Sequence, residues 1–305
     1  MYRFLIRRFV AAIITLLVVT LLVFILSRAQ GDPRTIMMSD DTTQEEYDAW
    51  GVEFGLDKPL AVQYGIYLGK LLRGDFGKSV LQRAEVIELI WSRLPNSAQL
   101  AALALIFSIG VGVPLGIVAA LDRGGMWDYL SRGFAVIGHS APSFWTGLVF
   151  IYIFAVMLGW LPTSRKSGWD SMILPAVTLG WSAAGGQLRL VRSSMLEVMD
   201  TEYVKLARAK GLSQTAVIWK HAFKNALIAP LTYAGLTFAG LITGTIVVET
   251  VFAWPGLGLL AIWSVNNSDY PILQGVILIV TAVYVFTSLA VDLLYAVIDP
   301  RIRYS

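Results

Sequence analysis

The sequence predicts an all-α polytopic membrane protein with six transmembrane helices. Three observations lead to that class. Apolar residues make up 56% of the 305 residues and charged residues only 15%, where water-facing proteins carry about a quarter of their residues charged. Six apolar stretches reach the roughly 20 residues that a helix needs to cross a hydrocarbon core about 30 Å thick. The breaks between them are polar or marked by Gly and Pro.

The expected spans lie at about Phe9–Leu26, Ser97–Leu121, Gly133–Leu158, Met172–Val191, Leu227–Val248 and Ile272–Val297. The first follows Arg3, Arg7 and Arg8, as a secretory signal would, but "LSRAQGDP" after it has no small-x-small cleavage site, so it reads as a retained span. A twin-arginine export signal fits poorly, because five further spans would follow. Gly112 and Gly116 in the second span have the small-xxx-small spacing of close helix packing, and the fourth, "LPAVTLGWSAAGGQLRLVR", is rich in small residues of the same use.

Orientation follows from the basic residues. The amino end, Asp122–Arg132, Arg189–Lys224 and the carboxyl tail hold 14 Lys/Arg against 6 acids, whereas Arg28–Arg93 holds 8 against 11. Both termini are therefore expected in the cytoplasm, and Arg28–Arg93 outside. The organisation is a first transmembrane helix (1–27), an extracytoplasmic segment of short helices (28–95), a core of five helices (96–298) with a cytoplasmic hairpin at 193–226, and a tail (299–305). The outer segment is too long for a tight connection.

Much chemistry is missing. The chain has no Cys and two His, which removes disulfides, Cys-ligated zinc and most His-rich metal or catalytic clusters. There is no GxxxxGK[ST] loop, GxSxG elbow or HExxH. His139, in "GHSAPSFW", reads as a helix-end residue, and His221, among Lys220 and Lys224, as a surface one. No nucleic-acid fold accompanies the basic run.

That run, "EYVKLARAKGLSQTAVIWKHAFKNAL" from Glu202 to Leu227, carries five Lys/Arg and one acid. Glu202–Lys210 favours helix, Gly211 can take the left-handed conformation that ends one, and Ser213 can cap the next. In the second helix Trp219, Ala222, Phe223 and Ala226 form an expected apolar stripe, and Lys220 and Lys224 a basic one. The residues alone fit a helix on anionic lipid, plain positive-inside topology, or a docking element for a cytoplasmic protein.

"EYVKLARAKGL" followed by "HAFKNAL" resembles the cytoplasmic loop of permease subunits of ABC importers, in the dipeptide and oligopeptide form. In the general motif a Glu-Ala-Ala triplet precedes an invariant Gly; matching on Gly211 places Lys205, Leu206 and Ala207 at the triplet. Only Ala207 agrees, and the later Ile-x-Leu-Pro element, at His221–Lys224, is not reproduced. Both departures are shared by the peptide branch. "FILSRAQGDP", "GLDKPLAVQYGIYLGKLLRGDFGKS", "SAPSFWTGLVFIYIFAVMLGWLPTS", "VVETVFAWPGLGLL" and "DLLYAVIDPRIR" extend the resemblance over nearly the whole chain, to the first of the two permeases of such a system.

The resemblance implies a type I ABC importer permease fold in a prokaryotic inner membrane. It implies a homologous second permease, two cytoplasmic ATPase subunits holding the ATP and Mg, and an extracytoplasmic binding protein. This chain would carry no cofactor or catalytic site of its own. The hairpin becomes the coupling helix, with Glu202, Tyr203, Lys205, Ala207, Arg208, Ala209, Lys210, Gly211 and Leu212 as ATPase-coupling residues. Ala207 and Gly211 would set close approach and the bend, and Arg208 and Lys210 polar contacts with the groove. The cargo would be di- or oligopeptides, or else nickel complexes, glutathione or sugars, and no cargo-binding residue can be read.

Glu249 and Asp292 are acids at or inside span ends, which are functional by default unless paired or wet. Each is expected to be structural, fixing the "WPGLG" loop or an interhelical pair, with a path role as the alternative. Three other classes compete with this reading. A secondary transporter needs coupling-ion sites and unwound half-helices, an intramembrane enzyme needs a nucleophile and base in the spans, and a scaffold leaves the hairpin bend unexplained.

Overall fold

A computed structural model describes residues 2–29, 43, 51–52 and 56–298, with side chains from 6 to 293 within those ranges. The expectations for "GDPRTIMM" and for the tail at 299–305 lie outside the described residues. In chain order the helices are α1 Tyr2–Ala29, α2 Leu60–Leu72, α3 Val86–Leu121, α4 Met126–Ser140, α5 Ser143–Phe150, α6 Ile173–Met199, α7 Glu202–Ala209, α8 Ile228–Val251, α9 Leu257–Asn266 and α10 Tyr270–Ile298. Helix α5 continues as a π-helical segment, Ile151–Met157. Among the described residues the only β feature is an isolated antiparallel bridge between Lys78 and Glu85.

Among the described residues, four helical stretches are long and apolar enough to cross a bilayer: Ile6–Ala29, Val86–Leu121, Ile228–Val251 and Tyr270–Leu293. A fifth arises if α4 and the helix from Ser143 to Met157 count as one span, but the two are bent by 110°. The expected span at Gly133–Leu158 is thus corrected on two points. Helix begins earlier, at Met126, and it breaks at Ala141–Pro142. The cause is local: Pro142 has no N–H to continue the ladder, and its ring disfavours helical geometry in the residue before it. Ala141 accordingly has φ −78° and ψ 128°.

The expected fourth span forms a 27-residue helix, α6, that is not among the stretches apolar enough to cross on composition. Its hydropathy is lowered by Gln187, Arg189, Arg192 and its small residues. Burial inside the protein replaces lipid contact: Leu174, Leu179, Ala184, Leu188, Val191 and Met195 are all buried.

The chain divides into two units. One comprises Pro95–Leu259 together with the residues from Phe286 on, and the other Tyr2–Leu94 with Leu260–Val285. In the first, α6 is central, packing on α4, α5 and α8. The close approaches are made at glycines. A Cβ on Gly112 would stand 2.8 Å from the Ala184 carbonyl oxygen, one on Gly116 2.7 Å from Val191 Cβ, and one on Gly185 2.9 Å from the Ala135 carbonyl oxygen. Near the bend, the Trp181 indole donates to the Phe134 carbonyl at 3.2 Å and stacks on Phe150.

In the second unit, α2 packs on α1. Tyr64 and Tyr67 lie against Phe24, and the Thr20 and Tyr64 hydroxyls share a hydrogen bond of 2.9 Å. Asp269 is fully buried and accepts from the Ser79 hydroxyl at 2.6 Å and the Leu81 amide at 3.2 Å, which pins the bridge-bearing loop.

The spacing that pointed to Gly112 and Gly116 marks the α3–α6 contact. Gly116→Leu is expected to destabilise the protein by about 1–3 kcal/mol through overpacking. Gly110→Leu, at a position with nothing within 4 Å, should leave it nearly unchanged. Thermal unfolding of the two purified variants in one detergent compares them.

Candidate functional site

The polar run folds as a hairpin. Helix α7 closes with a left-handed Gly211 at φ 76°. The Gly211 amide donates to the Arg208 carbonyl at 2.9 Å and the Leu212 amide to the Ala207 carbonyl at 3.4 Å. These are the paired bonds of a Schellman motif, whose geometry a residue with a Cβ adopts only under strain. Two residues on, the Ser213 hydroxyl accepts from the Ala216 amide at 3.3 Å and starts the returning helix. That helix has α geometry at Gln214–Ala216, π geometry at Val217–Phe223 and α geometry again at Lys224–Ala226.

The hairpin has a core of its own, with Val204, Ala207 and Val217 buried together and Val198 and Met199 packed against them. Ala207 is therefore shut inside, and the close approach it permits is between the two helices of the hairpin. Glu202, Tyr203, Lys205, Leu206, Arg208, Ala209, Lys210, Gly211 and Leu212 face outward, with Leu206 56% exposed. Lys205 and Glu202, both exposed, form an ion pair of 2.8 Å. The Glu202 carboxylate beside it holds the Lys205 ammonium above its ordinary range. The Arg208 guanidinium lies 3.6 Å from Met199 Sδ.

The expected stripe of the second helix is corrected in part. Besides Val217, the buried residues of that helix are Ile218, Ala222 and Ala226, packed on Ile117 and Ala120 of α3 and on Val191 and Met195 of α6. Trp219 is 54% exposed and meets Phe223 edge to face. The physical reason is the π-helical turn: with i→i+5 bonding it is wider than an α turn, so positions four apart fall into line and Trp219 rotates outward.

Glu249 is fully buried at the end of α8. One carboxylate oxygen accepts from the Ser97 hydroxyl at 2.6 Å, and the other from the Leu259 amide at 3.1 Å. Ser97 in turn accepts from the Leu257 amide at 2.8 Å. The Trp254 indole, also fully buried, donates to the Asn96 carbonyl at 3.0 Å, and the Asn96 amide returns a bond of 2.7 Å to the Pro255 carbonyl. Gly256 and Gly258 lie flat against this carboxylate, since a Cβ at Gly258 would stand 3.0 Å from it. Lys166 donates to the side chains of Asn96 and Gln99 at 2.9 and 3.0 Å. The WPGLG loop is thus folded around one acid.

Asp292 is buried in α10. His139 is exposed, with its ring 3.4 Å from the Ser182 hydroxyl, and His221 is half-buried. Two residues that sequence reasoning passed over stand out. Asp128 is 1% exposed and Arg192 grips it with two bonds, 2.7 and 2.8 Å. Asp128 falls in the Asp122–Arg132 stretch between expected spans, and the one local signal is Arg132 four residues on.

Residues 112–304 match the family described as binding-protein-dependent transport system inner membrane component, and residues 1–101 match that family's N-terminal region. The chain belongs to this family. It is 40% identical over 305 residues, the whole of both chains, to the glutathione transport system permease protein GsiC of Salmonella typhimurium strain LT2. It is 39% identical, over the same full length, to GsiC of Escherichia coli strain K12. Among solved structures it resembles the inward-facing MetNI methionine ABC transporter, with a TM-score of 0.59, 19% identity, and coverage of 70% of this chain and 97% of that one. An amino acid ABC transporter with histidines gives a TM-score of 0.51 at 17% identity, over 70% and 94% of the two chains. The fold is that of type I ABC importer permeases, and the chain is a permease subunit of an ABC importer in a bacterial inner membrane. The bend at Ala141–Pro142 is a feature that a secondary transporter would share. Family membership decides against that class.

The Glu249 network predicts a specific loss. Glu249→Ala strands the Ser97 hydroxyl and the Leu259 amide without acceptors, and each buried unsatisfied group costs about 1–3 kcal/mol. Glu249→Gln, which keeps one acceptor oxygen, should lose less. Thermal unfolding of the purified protein measures the order.

Proposed function

We propose that this permease pairs with a homologous second permease to enclose a translocation path for short peptide-like solutes, glutathione included. Two ATPases dock on the cytoplasmic side and a binding protein delivers cargo from outside. The carrying observation is the hairpin: a self-contained Gly211 bend presenting exposed Tyr203, Leu206 and Leu212. Exposed apolar side chains at a polar tip suit a protein groove better than an aqueous surface.

Within this reading, Glu202, Tyr203, Lys205, Arg208, Ala209, Lys210, Gly211 and Leu212 meet the ATPase, and Ala207 holds the shape they depend on. Lys205 stands where the general motif has an acid, but Glu202 brings a carboxylate to the same patch. ATP binding closes the ATPase pair and displaces the hairpin. The displacement does work because the two membrane states differ in their contacts with the nucleotide-bound ATPases. ATP and Mg belong to those partners. Glutathione as cargo is supported by the full-length relatives, which are permease proteins of glutathione transport systems. Glu249 and Asp292 are structural acids in this scheme.

The same reading has six spans, counting α6 and the bent pair, with both termini in the cytoplasm and 28–95 outside. The absence of Cys makes this directly testable. A single cysteine at Asp75 should react with a membrane-impermeant maleimide in intact spheroplasts, and one at Leu212 only after lysis. The reverse pattern overturns the orientation.

Docking is tested at Gly211. Gly211→Val should abolish ATP-driven uptake of glutathione by the reconstituted complex while leaving membrane insertion intact. Gly211→Asn, which tolerates the left-handed region, should retain a good part of it. Normal uptake by the Val variant with ATPases bound would refute the docking role.

A further inference from the structure

The Asp128–Arg192 pair joins two elements with different tasks. Arg192 lies on α6 seven residues before Met199, after which the chain turns into the hairpin. Asp128 lies in the first turn of α4, whose far end is the bend at Ala141–Pro142. The guanidinium meets the carboxylate fork to fork, Nε to Oδ1 at 2.7 Å and Nη2 to Oδ2 at 2.8 Å. Such a bidentate pair constrains angle as well as distance. The Gly124 amide donates to Oδ2 at 3.0 Å, and Arg132 lies 3.3 Å from Oδ1. With Asp128 1% exposed, losing the two Arg192 bonds would leave its charge to Arg132 and the Gly124 amide alone in a poorly solvated place. The pair is a fixed joint.

The elements beside it are closely packed as well. The hairpin is bolted to α6 by Ile218, Ala222 and Ala226 against Val191 and Met195. Helices α6 and α4 then touch backbone to backbone at Gly185 and Ala135, and the Trp181 indole bonds the Phe134 carbonyl. A push on the hairpin therefore has a continuous solid route to the bend.

We propose that Asp128 and Arg192 are positioning residues of the transport cycle. Their pair passes displacement of the hairpin from α6 into α4, and so moves the elbow at Ala141–Pro142. The proposal rests on the docking of the hairpin against an ATPase, and its test separates the two ideas.

The experiment uses the full complex in nanodiscs, with ATP and vanadate as the trapping agent and no cargo. Spin labels at Ile106 and Phe144, both exposed, report the position of the elbow. A benzophenone on a single cysteine at Leu212 reports hairpin docking by cross-linking to the ATPase. In the otherwise native complex, trapping should shift the distance between the labels. In Asp128→Asn the cross-link and vanadate-sensitive ATP hydrolysis should persist while that shift is lost. The exchange Asp128→Arg with Arg192→Asp should restore part of it.

A full shift in Asp128→Asn, or no shift in the native complex, overturns the link. So does failure of both the single variant and the exchange to assemble, because the pair would then serve folding alone. Absence of the cross-link in the native complex overturns the docking reading first, and the link with it.

Discussion

A carboxylate shut away from water must take its hydrogen bonds from the chain itself. Much of the architecture follows from that demand. Glu249 draws Ser97, near the start of Pro95–Leu259, and the Leu259 amide, at its end, onto one group. Asp128 draws the beginning of α4 onto the last turns of α6. Asp269 does the same for the loop at Ser79 and Leu81 in the other unit. Each acid closes a contact between residues dozens to well over a hundred positions apart in sequence.

Small residues answer the complementary demand. Where apolar side chains gain little by leaving lipid for one another, helices associate by close packing and by internal polar contacts. Gly112, Gly116 and Gly185 let backbone meet backbone around α6. That helix can be poor in large apolar residues because its neighbours, and not lipid, cover it.

The apolar stretches were legible because bilayer thickness sets their length, and the hairpin because Gly211 and Ser213 are strong local signals. The family was readable from ordered motifs along the chain. The bend was not, although its cause is written in "SAPS": hydropathy averages across a proline, and α3 contains Pro95 and Pro114 without breaking. Nothing in sequence distinguishes those prolines from Pro142 except the backbone geometry their surroundings permit. The buried stripe at Ile218, Ala222 and Ala226 was misread because a π turn shifts the period, and periodicity arguments assume one. Asp128 and Arg192 were missed because a pair 64 residues apart leaves no local pattern.

The hairpin divides its residues between two tasks. Val204, Ala207 and Val217 hold its shape from within, whereas Tyr203, Leu206 and Leu212 look outward. On the docking reading proposed above, shape and recognition are independent variables: changing the outer three would alter which groove is matched without unfolding the element, so a cell running several such importers could keep their motors from cross-wiring by editing a handful of side chains on an unchanged backbone.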